Sequence, residues 1–367
     1  MNKADLNTSE SITIEGIVYG KADFEKLQKP SFTNHSPFHE ELYWFIKEWF
    51  SSSSVIEVQT SGSTGKPKKM KVSKVRMWHS AKTTCDFLRL KTNDKALLCL
   101  PLTYIAGKMM VVRAIHIGLN IYPVEPTGHP LSQTDITFDF AAMIPLQIYN
   151  SLQVAEEKSK LSKIKQLIIG GSSIDKKMEE ALSGFPNPIY STYGMTETLS
   201  HIALRRINGS EACLYYTPFE SVQLSLSDDN TLQIDAPLVC KERLVTNDIA
   251  EIRPNGHFRI LGRKDNRINS GGIKIQIEEI EQNLRPYLAG QFAVTSIPDP
   301  RLGEAIVLLV ESDDPKIIYA TIRQWLPHYQ QPRQIFRIEH LPLTETGKPD
   351  RAAIKKIAGQ ICPTYLL

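Results

Sequence analysis

Cysteine is scarce in this 367-residue chain: Cys85, Cys99, Cys213, Cys240 and Cys362 stand far apart, odd in number and without a Cys-x-x-Cys pair. That pattern argues against a disulfide framework, and it points to free thiols in a reducing compartment with no zinc site. Long apolar runs are also missing, and none approaches the ~20 residues of a membrane-spanning helix. Residues 1–30 are polar, with Asp5, Glu10, Glu15, Asp23 and Glu25 interspersed, so no secretory leader is expected. Charge of one sign is nearly balanced by the other, leaving a formal net charge of +3. No basic run is interleaved with aromatics, so nucleic acid is not an expected partner. The expectation is a cytoplasmic, soluble protein with no membrane span. Its 41% hydrophobic and 23% charged residues are those of an ordinary globular chain, long enough for two domains with separate cores.

What the chain does have is an unusual stretch, Gln59-Thr60-Ser61-Gly62-Ser63-Thr64-Gly65-Lys66-Pro67-Lys68-Lys69. It follows Val55-Ile56-Glu57-Val58, a short apolar and β-branched run that reads as a buried strand. A strand opening into a Gly/Ser/Thr loop leaves backbone N–H groups free to converge on an anion, and lysines add point charges for phosphate. The stretch departs from the G-x-x-x-x-G-K-[ST] loop of nucleotide hydrolases: Gly62 and Gly65 are too close together, and Pro67 follows Lys66. The bland alternative is a solvated Ser/Lys turn.

Along the chain, Ile12–Tyr19 reads as an edge strand and Phe38–Phe50 as a helix whose aromatics serve the core. Met70–Val72 reads as a brief strand, and Ser73 as the cap of a helix through Leu88. Ala96–Pro101 is expected as a strand, followed by an apolar helix from Met109 to Ile117 and a strand at Asn120–Val124. Asp135–Asn150 has a helical pattern around Phe140–Pro145. Ile164–Ile169 and Ile189–Gly194 read as strands, the first of them opening onto Gly170-Gly171-Ser172-Ser173. Strands alternating with helices, and ending in Gly/Ser/Thr turns, indicate an α/β fold with ligands at the strands' carboxyl ends. From Ser221 the rhythm changes to short alternating strands, as in a β-barrel-like subdomain. The charged stretch Arg263–Arg267 is the candidate linker. The remainder reads as a small α+β unit with helices at Gln276–Leu288 and Ile317–Leu326, strands at Phe292–Ile297 and Ala305–Val310, and a polar tail loop.

Four further motifs are each weak alone. Tyr193-Gly194-Met195-Thr196-Glu197 places an aromatic, a hydroxyl and a carboxylate at one turn. Thr246-Asn247-Asp248 reads as a polar turn between strands. The third combines Gly262-Arg263-Lys264-Asp265 with Ser270-Gly271-Gly272 and Glu279-Ile280-Glu281. The fourth is Leu341 to Arg351, containing Gly347-Lys348-Pro349. Without the others, each reads as an ordinary turn, linker or exposed loop.

In this order and spacing, from about residue 55 to 352, the motifs resemble the adenylate-forming superfamily of acyl-CoA synthetases, peptide-synthetase adenylation domains and luciferases. The resemblance implies an α/β fold: a large AMP-binding N-terminal domain (1–262) of α/β and barrel-like subdomains, hinged to a small mobile α+β C-terminal domain (263–367). With the loop beginning at residue 59, much of the family's usual N-terminal subdomain is expected to be lacking. The resemblance also implies that Thr60, Ser61, Gly62, Ser63, Thr64, Gly65 and Lys68 hold the ATP phosphates. Tyr193 would stack on adenine, with Gly170, Gly171, Ser172 and Gly194 lining that pocket. Asp248 and Arg263 would grip the ribose. Thr196 would contact the α-phosphate and Glu197 would ligate Mg²⁺, which favours carboxylate and phosphate oxygens. Lys348 would bridge the substrate carboxylate and the α-phosphate as the catalytic lysine. Asp265 would be the hinge, and Gly271 and Gly272 would border a tunnel for CoA.

The implied reaction joins a carboxylic acid to CoA through an acyl-adenylate. The alternatives are a stand-alone enzyme loading a carrier protein, for which no carrier segment follows Lys348, and a non-catalytic nucleotide-binding protein. Three positions depart from the family pattern. Lys69 and Asn247 stand where glycine is usual, and Tyr104 stands in the place of a common histidine in the P-L-x-H-x-x-G segment beside the acyl pocket.

Overall fold

The computed structural model describes residues 10–59, 69–288, 290–311, 315–343 and 349–361. Strands Ser11–Ile14 (β1) and Ile17–Gly20 (β2) form a hairpin about Glu15-Gly16, whose φ angles are 50° and 84°. A short helix Lys21–Glu25 (α1) leads to Pro37–Phe50 (α2), which starts as its sequence dictates, with Ser36 as N-cap and proline in the first turn. Of the α2 aromatics Phe38, Tyr43, Phe45 and Trp49 are buried, together with Leu42 and Ile46, whereas Trp44 is exposed.

Val55–Gln59 (β3) and Lys69–Ser73 (β4) pair antiparallel as a separate two-stranded sheet, Gln59 opposite Lys69. The buried strand expected here is therefore half-buried: Ile56 and Val58 point inward, whereas Val55 and Glu57 face out. Then follow Lys74–Leu88 (α3), Lys95–Leu98 (β5), Ile105–Ile117 (α4), Asn120–Pro123 (β6) and Phe140–Met143 (β7). Next come Pro145–Gln153 (α5), Ala155–Lys163 (α6), Gln166–Ile169 (β8), Lys176–Leu182 (α7), Ile189–Gly194 (β9), His201–Arg206 (β10) and Thr217–Pro218 (β11).

Nine strands make one sheet in the order β11-β10-β9-β8-β7-β5-β6-β1-β2, parallel from β9 to β1 and closed by antiparallel strands at both edges. The helix expected around Phe140 is in fact β7, and the helix starts only at Pro145. All four residues of β7 are buried. A strand covered on both faces shows no polar alternation, so helix-forming alanine and methionine read as helix. Alternate residues feed cores on opposite faces: Ala96, Leu98 and Phe140 lie on one side, Leu97, Ala141 and Met143 on the other. After β5 the chain extends the sheet one way through β6 and the other way through β7. The carboxyl ends of β5 and β7 consequently flank a topological switch point, where open α/β sheets bind ligands.

Gln223–Leu226 (β12), Thr231–Asp235 (β13), Leu244–Ile252 (β14) and Phe258–Arg263 (β15) form the expected subdomain as a four-stranded antiparallel meander. Thr246-Asn247-Asp248 lies within β14, so the expected turn there is a strand.

Arg267–Ser270 (β16), Ile273–Gln276 (β17), Ile277–Leu284 (α8), Phe292–Asp299 (β18), Gly303–Val310 (β19), Pro315–Trp325 (α9) and Gln334–Arg337 (β20) follow. They build a further, five-stranded sheet with its own two cores, one against α8 and α9. The other packs on Arg351–Ile361 (α10) through Ile354 and Ala358. That last helix stands where a polar tail loop is expected from the sequence.

Candidate functional site

The carboxyl ends of β5, β7, β8 and β9 form one edge of the sheet, and the β3–β4 hairpin reaches it. Gln59 bridges to Tyr104 at the N-terminus of α4. Gly107, in the first turn of α4, packs so tightly on the end of β5 that a Cβ would lie 2.4 Å from the Pro101 carbonyl oxygen. Thr60, Ser61, Gly62, Ser63, Thr64, Gly65 and Lys68 lie outside the described residues, but the strands on either side of them are fixed at this edge. Lys69 is exposed and pairs with Glu57 across the hairpin at 2.9 Å. Its charge therefore faces a carboxylate on the neighbouring strand. At the end of β8, a Cβ on Gly170 would lie 2.4 Å from Thr192 Oγ1, and Gly171 takes φ 89° beside Ile144. Gly170 thus packs against β9, and Gly171 lies beside the residue that follows β7.

Four of the sequence-derived residues meet in one network. Tyr193, on β9, donates its hydroxyl to Asp248 Oδ2 at 2.6 Å. Asp248 pairs in register with Arg263 across β14 and β15, and Arg263 Nη1 donates to Asp248 Oδ1 at 3.1 Å. The other guanidinium nitrogen donates to Asp265 Oδ2 at 2.9 Å, which also accepts from Asn247 Nδ2 at 3.1 Å. Asn247 stands in an ordinary strand conformation, so a tolerance of positive φ is not what lets it replace glycine. Its side chain makes a bond that glycine could not. Burial, then the Asp248 charge, pushes the Tyr193 hydroxyl far above its ordinary pKa, so it remains a donor. Burial works against the Arg263 charge, but the bond to Asp265 and the charge of Asp248 outweigh it and raise its pKa. The Tyr193 ring is held edge-on by Phe258 at 5.2 Å and tilted against Tyr216 at 5.9 Å, two residues that sequence reasoning did not single out. Their signal was only an aromatic at a strand end.

Beyond β9 the chain turns sharply. Gly194 allows β10 to approach, since a Cβ there would lie 2.3 Å from the Ser200 carbonyl oxygen. Thr196, Glu197 and Thr198 form a 3₁₀ turn, and Leu199 is held at φ 65°, ψ −36°, with Ser200 N donating to Thr198 O at 2.8 Å. That three-residue turn is a rarely populated conformation for a branched residue, and its strain is held in place by packing, with Leu199 3% exposed. Glu197 is exposed, with no ion-pair partner among the described residues, while Thr196 is half-buried. Thr198 and His201 are spent on structure. Thr198 Oγ1 bonds the backbone of Met195 and Ser200, and His201 Nε2 meets Thr84 Oγ1 at 3.0 Å. Arg113 of α4, 2% exposed, donates to Ser200 Oγ at 2.8 Å and has no carboxylate partner among the described residues. Burial lowers its pKa to about 10, opposed by the nearby Cys85.

Gly271 and Gly272, at φ 59° and 82°, form the β16–β17 turn. Gly271 lines a cleft with Leu302, His328, Tyr329 and Arg333, separate from the Tyr193 network. Lys348 lies outside the described residues. Close after it, Arg351 forks onto Glu281 with two 2.7 Å bonds, fixing the start of α10 to α8.

A nine-stranded α/β sheet with a glycine-lined carboxyl edge, an adjoining meander and a separate C-terminal sheet is thus joined to a tyrosine–aspartate–arginine network. The AMP-binding enzyme family matches residues 44–239, more than half of the chain. The chain belongs to that family. It is similar to the acyl-CoA synthetase (AMP-forming)/AMP-acid ligase II-like protein of Dyadobacter fermentans, at 32% identity and TM-score 0.63, over 91% of this chain and 97% of that one. A 2-succinylbenzoate–CoA ligase of Listeria innocua is 25% identical, over 84% of this chain and 71% of its own length. The o-succinylbenzoate coenzyme A synthetase of Bacillus subtilis, solved with ATP and magnesium, shares the fold at TM-score 0.67 and 21% identity, over 81% of this chain and 68% of that one.

Proposed function

We propose that this protein is an ATP-dependent carboxylic acid–CoA ligase that works through an acyl-adenylate, with o-succinylbenzoate as its acid. The observation that carries the reading is the Tyr193–Asp248–Arg263 network, which brings a ring, a carboxylate and a guanidinium together from three strands. The named relatives support the choice of acid.

In the first half-reaction a substrate carboxylate oxygen attacks the α-phosphorus of ATP. The bond to the bridging oxygen breaks, and pyrophosphate leaves with the electron pair. Residues 60–65 and Lys68 bind the departing phosphates, Asp248 holds the ribose, and Thr196 and Lys348 donate to the α-phosphate oxygens as charge develops there. Glu197, exposed and unpaired, suits Mg²⁺, which when bound neutralises triphosphate charge. In the second half-reaction the CoA sulfur attacks the acyl carbonyl and AMP leaves, the thiol proton passing to solvent.

Residues 1–262 and 263–367 act as two domains turning about Asp265, first bringing Lys348 to the adenylation site and then Gly271 and Gly272 to the CoA arm. Acid-dependent exchange of pyrophosphate into ATP, over a panel of acids that includes o-succinylbenzoate, tests the proposal. Exchange with that acid and not with benzoate or fatty acids is the expected result. No exchange with any acid would leave only nucleotide binding. Lys348→Ala is expected to abolish exchange yet still pass a preformed acyl-adenylate to CoA. Equal loss of both steps would sink the two-closure scheme.

A further inference from the structure

Glu15, His35 and His39 have no part in nucleotide chemistry, yet three separate segments bring them together. Glu15 comes from the β1–β2 turn, His35 from the residue capping the 3₁₀ turn Ser31–Asn34, and His39 from the first turn of α2. Their ligand atoms all lie within 4.8 Å of one another. Glu15 Oε2 is 3.4 Å from His35 Nδ1, and Glu15 Oε1 is 4.0 Å from His39 Nε2. His39 is 6% exposed, and its Nε2 is fully buried with no hydrogen-bond partner. Buried polar atoms rarely stay unpaired, so an unpartnered one aimed at a carboxylate and a second imidazole calls for an occupant.

We propose that Glu15, His35 and His39 bind one divalent transition-metal ion, Zn²⁺ above others, which clips the N-terminal hairpin to helix α2. Two imidazoles and a carboxylate suit zinc and its neighbours and do not suit magnesium or calcium, which take oxygen ligands. Tetrahedral ligands at zinc distances sit about 3.3 Å from one another, so the Glu15–His35 spacing already fits and the Glu15–His39 spacing closes by about 0.7 Å. Glu15 is on the surface and free to make that adjustment.

The surroundings favour the ion. Ser36 Oγ lies 2.9 Å from His39 Nδ1, so a proton held on Nδ1 leaves the Nε2 lone pair facing Glu15. Burial lowers the His39 pKa, which keeps the imidazole neutral and ready to ligate. Glu125, just beyond β6, acts electrostatically on His39 and has a buried carboxylate oxygen without a partner, adding negative charge on the same side. The Glu15 turn is itself held against β6, with Glu15 N donating to Ile121 O at 3.0 Å and Gly16 N to Asn120 Oδ1 at 2.9 Å. The site would join β1–β2, β6 and α2 at the sheet edge opposite β10–β11.

The full chain, stripped with EDTA and titrated with zinc chloride against a chromophoric chelator, tests this. One Zn²⁺ per chain is expected, with a rise in melting temperature on metal addition. Co²⁺ in its place should give ligand-field bands of a nitrogen/oxygen site. His35→Ala and Glu15→Gln alter surface side chains, so both variants should melt like the parent in EDTA. Each should weaken zinc binding by at least about tenfold. Absence of stoichiometric binding, unchanged binding in both variants, or a thiolate-to-cobalt charge-transfer band would overturn the assignment.

Discussion

Two arginines hold the two ends of the segment from residue 263 to 361, and they do so differently. Arg351 puts both terminal nitrogens on one carboxylate, that of Glu281, whose Oε1 also accepts Val294 N at 2.8 Å. Arg263 divides its nitrogens between Asp248 on β14 and Asp265 in the segment that follows β15. A fork on a single carboxylate loses both charge-assisted bonds if either partner turns, so it behaves as a rivet. A divided fork can release one partner and keep the other. Exposure follows the same division, with the Glu281 side chain 11% exposed and that of Asp265 47%. The comparison teaches that an arginine can lock onto one carboxylate or divide itself between two, and geometry decides which.

Four changes would sharpen or break that contrast. The largest expected effect is from Asp248→Ala, which takes the shared acceptor from Tyr193 and Arg263. Pyrophosphate exchange should fall about a hundredfold or more, while the melting temperature moves little. Arg351→Ala should reverse the pattern, leaving Glu281 buried without its cation. Urea unfolding should register a loss of about 2–3 kcal/mol. Should Arg351→Ala leave stability intact, the rivet reading fails.

Asp265→Ala comes next. Arg263 keeps Asp248, so exchange should persist while thioester formation slows, as stopped-flow measurement of the two half-reactions would reveal. Equal damage to both would make Asp265 part of the nucleotide grip instead. The smallest effect concerns pH. Burial raises the pKa of Glu278, which packs beside Gly262 and accepts from Asn266 at 2.5 Å. Because the folded-state pKa is raised, its contribution to stability is present below the ordinary 4.5 and is lost as pH climbs through the raised value. Glu278→Gln should flatten that part of the stability–pH curve, and an unchanged slope would exclude Glu278 as its source.

Much of the architecture was legible in the sequence because several strands end in characteristic turn residues. Val55–Gln59, Gln166–Ile169 and Ile189–Gly194 announce themselves by β-branched runs followed by glycine, serine or threonine. Phe140–Met143 does not, since burial on both faces erases the alternation that marks a strand. Helix α10 was missed although Ile354, Ile357, Ala358 and Ile361 keep helical spacing, and Arg351 at its start is tied to the distant Glu281. Within the site, Tyr193, Asp248 and Arg263 were found by motif, and their union was not, because a hydrogen bond between strands leaves no trace in local spacing. Arg113 and Leu199 were invisible as well, one an ordinary charge in a helix and the other an ordinary leucine until its φ is known.

The foot of the β3–β4 hairpin has a consequence of its own. Lys74, the first residue of α3, sends its ammonium back to the C-terminus of α2, donating to the carbonyl oxygens of Glu48 at 2.8 Å and Ser51 at 3.0 Å. A buried cation on open helix carbonyls is a firm attachment, and it lies at the far end of the strands from Gln59 and Lys69. The hairpin is a cantilever built in at its base: a displacement at its Gln59–Lys69 end would pass down the paired strands into α2, the helix that also carries His39.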